Sequence, residues 1–190
     1  MLRRVAQALI NARPLGADAC ADSARGRRHL QGLAAEEEMR ILGIDPGSVS
    51  GAYGFISDDG VVVGDLPVAD GNVMPGMLFN LVKELQPDVA IVERVSAMPG
   101  NGAASMFKFG RAYGCILSVL ACAGIRTELT TPSTWKKYFN LPGKDKEKSR
   151  ELVSRLFPTV TGIERVKDHG RCEALLMAQF WMEKNRDTKN

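Results

Sequence analysis

Residues 89–93, VAIVE, are four apolar residues closed by a carboxylate, and 41–45, ILGID, repeat the pattern. A strand with no polar face is buried on both sides, so each belongs in the middle of a sheet covered by helices.

The rest of the chain supplies suitable partners. Arg40–Asp45, Gly51–Ser57 and Val61–Pro67 read as three strands, with Asp58-Asp59-Gly60 turning tightly between the last two. Met74-Pro75 opens a helix with Leu78, Leu81, Val82 and Leu85 on one face, and Pro87-Asp88 stops it. Residues 103–123 form the longest helix, ended by Gly124. Gly110 and Gly114 lie inside it, one turn apart, and ask for a close neighbour: the sheet, a second subunit or a DNA backbone. Thr127–Thr130 is a further strand, and Thr131-Pro132 caps a short helix through Trp135 and Phe139. Lys144–Phe157 is a basic amphipathic helix with Leu152, Val153 and Leu156 inward. Asp168 N-caps a last helix through Glu173, Leu176, Phe180 and Trp181. The expected fold is one α/β domain. An antiparallel three-stranded meander joins two parallel strands in a mixed β-sheet, with helices on both faces.

The domain is expected over residues 39–190. Residues 1–38 are rich in Ala, Arg and Gly and lack strand alternation. They read as an extension before a natural start at Met39, disordered or a leader. Six arginines also fit an organelle transit peptide, which would place the protein in an organelle, while the acidic residues and scarce serine speak against it. No apolar run approaches the ~18 residues of a membrane span. Cys20, Cys115, Cys122 and Cys172 show no C-x-x-C pair and no zinc spacing, which fits reduced thiols in a cytoplasmic compartment. Charge is unevenly placed. Residues 39–93 carry two Lys/Arg against eight Asp/Glu, and residues 94–150 carry ten against three. The first segment suits a metal, the second a polyanion, although solvated faces account for such runs equally well.

Asp45 and Glu93 can stand side by side at the C-terminal ends of neighbouring parallel strands, where open α/β sheets place their sites. A helix starting near Asp168 can bring Asp168 and Glu173 to the same edge, and His169, four before Glu173, shares its face. Clustered carboxylates repel unless a cation compensates, and oxygen ligands without thiolate point to Mg²⁺ or Mn²⁺. Two such ions favour hydrolysis of a phosphodiester, one activating water and the other stabilising the leaving 3′ oxygen. Each acid also has a plainer reading. Asp45 before Pro-Gly fits an Asx turn, Asp168 a cap, and Glu173 a solvated helix position, while His169 fits a surface hydrogen bond. Glu93 is hardest to dismiss, because buried unpaired carboxylates are rare.

IDPG after an apolar strand, IVE at the next central strand and KDHGRCEALLMA near the C-terminus resemble the RuvC-type Holliday junction resolvases of the ribonuclease H-like superfamily. VERVSAMPGNGAASMFKFGRAYG is similar to the branch holding plant chloroplast resolvases and their phage and bacterial relatives. The resemblance covers residues 39–184 in order. It implies a homodimer, active on DNA in a bacterial or phage-like cytoplasm, that nicks four-way junctions symmetrically with Mg²⁺ or Mn²⁺. By position Asp45, Glu93 and Glu173 match family acids. The family's fourth, three residues before the last, falls here on Gly170, so Asp168 is taken instead, with His169 as the alternative base.

The resemblance also implies that the loop holding Met98 and the helix holding Lys108 and Arg111 enter the junction. Met98 or Phe107 can wedge against an opened base, or both are core. Lys136, Lys137, Lys144, Lys146, Lys148 and Arg150 form a second basic band for phosphates. No nucleotide cofactor is expected. An actin-like ATPase needs a second phosphate loop and an adenosine site that the chain lacks room for. A non-catalytic junction-binding protein and a nuclease for other branched DNA or RNA are the remaining rivals.

Overall fold

A computed structural model describes residues 39–47, 50–94, 96, 102–141 and 146–186. The expectations on residues 1–38, on Met98 and on Lys144 lie outside the described residues, as does the side chain of Lys146.

The two apolar runs are the two central strands. β1 (Ile41–Asp45), β2 (Ala52–Ser57), β3 (Gly60–Asp65), β6 (Val89–Glu93) and β7 (Arg126–Thr130) form one sheet in the order β3-β2-β1-β6-β7. β1 pairs antiparallel with β2 and parallel with β6; β2–β3 is antiparallel and β6–β7 parallel. One difference follows Asp65. The expected strand Val61–Pro67 stops there, and β4 (Val68–Ala69) and β5 (Asn72–Val73) make a separate two-stranded sheet that the sequence reading lacked. Asp70 and Gly71 carry φ of 50° and 70°, the left-handed pair that a two-residue hairpin requires.

Side chains alternate across the sheet. Ile41, Ile56, Val89 and Ile91 join one core cluster with Trp135, Val153 and the buried residues of α5 (His169–Arg186). On the other face, α1 (Pro75–Leu85) and α2 (Ala103–Cys122) pack on each other and bury Leu78, Leu81, Val82, Leu85, Ile116 and Leu120. α3 (Pro132–Tyr138) and α4 (Lys146–Leu156) both pack on α5. Within α4, Val153 is fully buried but Leu156 is 39% exposed, so the inward face is narrower than expected.

α5 comes unusually close to the sheet, and two glycines allow it. Gly43 and Gly54 are cross-strand partners on β1 and β2. A Cβ on Gly43 would collide with the carbonyl oxygen of Ala174, and one on Gly54 would lie 2.5 Å from the Cα of Leu175. The helix backbone therefore lies in a notch where two side chains are missing. Gly110 and Gly114 behave differently. Among the described residues nothing lies within 4 Å of a Cβ added to either, so of the three neighbours considered the sheet is ruled out, while a second subunit and a DNA backbone stay open. Among the described residues no helix is long and apolar enough to cross a membrane.

Candidate active site

The notch determines where the acids meet. Ile44 pairs with Val92, which sets Asp45 and Glu93 at the C-terminal ends of adjacent parallel strands. Gly43 and Ile91 face α5, so by alternation Asp45 and Glu93 face it too. From the other side the first turn of α5 descends onto Asp45; a Cβ on Gly170 would lie 3.2 Å from its Oδ2. Glu173 follows three residues later on that helix.

Glu93 feels the other two carboxylates. Burial, then the charge of Asp45, raises the Glu93 pKa from the ordinary 4.5 to about 7, and Glu173 adds to the rise. Two groups oppose it: the Trp135 indole Nε1 donates to Glu93 Oε1 at 3.1 Å, and the Lys136 charge lies nearby. The Lys136 ammonium donates to Glu173 Oε1 at 2.9 Å, with side-chain exposures of only 19% and 13%. Asp45 Oδ1 accepts a long bond from the Gly47 amide, the Asx turn considered for it. Thr130 pairs with Glu93 in the sheet and so shares its face; its buried hydroxyl has no hydrogen-bond partner among the described residues.

Asp168 holds the expected place, one residue before α5 begins at His169, but its side chain turns back into the 3-10 turn that it ends, Val166–Asp168, and bonds Arg165 there. Its buried carboxylate accepts from the Arg165 guanidinium at 2.8 Å and the Arg165 amide at 2.9 Å. Those bonds hold its pKa down to about 2. Arg171 stands 3.8 Å from it while also bonding Asp65 at the end of β3 and the Gly162 carbonyl. Asp168 is thus the hub of an arginine clasp that ties the start of α5 to β3. His169 stands beside it, Nδ1 3.2 Å from the Val166 carbonyl.

The basic residues divide. Lys108, Lys137 and Lys148 are exposed. Arg111 is exposed and bonds Asn72 of β5. Arg150 donates to the carbonyls of Ile163 and Glu164, at 3.1 and 2.8 Å, joining α4 to the segment before α5. Phe107 is 72% exposed, not core. Sequence reasoning missed the two α3 contacts. An indole inside the polar stretch TTPSTWKK was the available signal, because a buried indole needs a partner for its N–H.

A divalent metal would find oxygen donors of the right chemistry here, in a place where negative charge is already crowded enough to lift the Glu93 pKa. Still, among the described residues no three His, Cys, Asp or Glu groups stand close enough to hold an ion as they are. Lys136 occupies Glu173, and Asp168 is taken by arginine.

No family model matches the chain. The chain is 34% identical over 128 residues to the crossover junction endodeoxyribonuclease RuvC of Chloroflexus aggregans, covering 60% of this chain and 77% of that one. The RuvC of an Anaeromyxobacter species is 34% identical over 118 residues, 56% of this chain and 62% of the relative. The structure of Thermus thermophilus RuvC in complex with Holliday junction substrate matches with a TM-score of 0.60 at 15% identity, over 77% of this chain and 96% of that one. At that identity the likeness concerns the fold.

Proposed function

Because the chain belongs to the RuvC family of crossover junction endodeoxyribonucleases, we propose that it is a structure-specific DNA endonuclease that resolves four-way junctions by paired symmetric nicks. The observation that carries the reading is the convergence of Asp45, Glu93 and Glu173, from two strand ends and one helix, into a single electrostatic field. In this reading they hold Mg²⁺ or Mn²⁺, two ions per site. The chemistry such ions supply when bound is activation of the attacking water and compensation of charge on the leaving oxygen. The chain's own residues do the positioning. Trp135 orients Glu93, and the arginine clasp on Asp168 holds the first turn of α5, and with it Glu173, against Asp45. His169, the first residue of α5, is the candidate base in this reading.

Lys108, Arg111, Lys137 and Lys148 are assigned to phosphates. A four-way junction has two-fold character, so two copies related by a dyad present two sites to opposite strands. The exposed Phe107–Gly110–Gly114 side of α2, which no part of the described chain covers, is the candidate surface for a second copy or for opened DNA. The domain assigned to this work is residues 39–190, acting on DNA in a bacterial cytoplasm.

A labelled synthetic junction incubated beside linear duplex in Mg²⁺, with wild type and Asp45→Asn, tests the proposal. Symmetric nicks in the junction alone, abolished in the variant while junction binding persists, are expected. Equal cutting of linear duplex refutes structure selectivity, and binding without cutting in either Mg²⁺ or Mn²⁺ refutes catalysis.

A further inference from the structure

α3 touches the acids with two consecutive side chains, the Trp135 indole on Glu93 and the Lys136 ammonium on Glu173. The ammonium is mostly out of solvent, lies 5.0 Å from the Trp135 ring centroid, and is the positive group bonded to Glu173 among the described residues. We infer that Lys136 is a resident cation that takes the metal's place at Glu173 in the metal-free protein and must leave that carboxylate when a divalent ion binds. The inference rests on the reading of Glu173 as a metal-holding acid and adds a competitor to it.

The reasons are electrostatic. Three partly desolvated carboxylates cannot all stay ionised side by side without compensation, and the lysine supplies the positive charge while no ion does. An ammonium and a divalent cation repel each other in the same half-buried place, so both cannot hold Glu173 at full strength. Lysine is suited to leaving: a compact charge on a flexible four-carbon stem, where arginine would be a rigid fork. Metal binding at this site is therefore an exchange, and its affinity is lowered by the work of removing the lysine.

The test measures Mn²⁺ binding to the full chain without DNA, from the EPR signal of free Mn²⁺, for wild type, Lys136→Met, Lys136→Gln, Lys136→Arg and Glu173→Gln. The expected result is binding about tenfold tighter in Lys136→Met and Lys136→Gln, the effect of ~1.4 kcal/mol. Lys136→Arg, which keeps the charge, should bind no tighter than wild type. Melting temperatures of the two neutral variants should fall without metal and recover with Mn²⁺. If the neutral variants bind Mn²⁺ equally or more weakly while Glu173→Gln loses affinity, Glu173 is a ligand, the functional reading stands and the competitor is refuted. If Glu173→Gln leaves binding unchanged, or wild type binds no Mn²⁺, the site reading falls and the inference with it. Should both neutral variants fail to fold, rescue by Mn²⁺ supports the exchange, and failure with Mn²⁺ present makes Lys136 a structural residue and overturns it.

Discussion

Replacing Asp168 by Asn separates an anchor from a metal ligand. In the folded protein its carboxylate is buried and bonded by Arg165 through both guanidinium and amide, which lowers its pKa from 3.8 to about 2. A tenfold change in acidity is worth ~1.4 kcal/mol, so the clasp contributes roughly 2 kcal/mol once the solvent around Arg165 is allowed for. For a domain of this size that is a fall in Tm of about 4–8 °C. The pH dependence has a definite sign. A depressed folded pKa gives stability that is complete above the unfolded value near 3.8 and disappears as pH falls through about 2. The wild-type and Asp168→Asn melting curves should therefore be well separated at pH 6 and converge as pH falls from about 4 to 2. Differential scanning calorimetry across that range, with Mn²⁺ titrations at pH 7, checks both halves. An unchanged Tm at pH 6 together with abolished Mn²⁺ binding would refute the anchor and restore Asp168 as a ligand.

Glu93→Gln should do the opposite to the metal-free fold. A carboxylate whose folded pKa is raised to about 7 destabilises the protein increasingly as pH climbs from 4.5 towards 7. The variant should accordingly be more stable by ~2–3 kcal/mol at pH 8 and no more stable at pH 4, read by urea denaturation in chelator. Gly54→Ala puts a methyl 2.5 Å from the Leu175 Cα and should cost about 3 kcal/mol or more, seen as a large loss of Tm; a change below about 1 °C would contradict the close approach of α5. Neutralising Lys137 and Lys148 together should weaken junction binding and reduce the slope of log K against log salt by roughly 0.9 for each phosphate that is no longer neutralised. An unchanged slope removes them from the interface.

The central strands were legible because a wholly apolar run closed by an acid has few other structures open to it; ILGID and VAIVE carry that signal within five residues each. The partners of the acids were not equally visible. Lys136 and Glu173 lie 37 residues apart, and only the folding of α3 onto α5 brings them together. The arginine clasp was nearer to hand, since Arg165, Asp168 and Arg171 are spaced three apart, yet the same spacing serves a solvated helix start. The β4–β5 hairpin escaped because its strands are two residues long, too short for alternation to register, although Asp70-Gly71 is the dipeptide such a turn prefers.

The bond between the Trp135 indole and Glu93 gives the protein an optical gauge of its own. Trp135 and Trp181 are the chain's two tryptophans, and Trp181 bonds Glu128 on β7 instead. With Trp181 replaced by Phe, emission would come from one indole whose N–H points at a carboxylate of the site. Any event that discharges or relocates that carboxylate would then register as a change in colour or intensity, with no label attached.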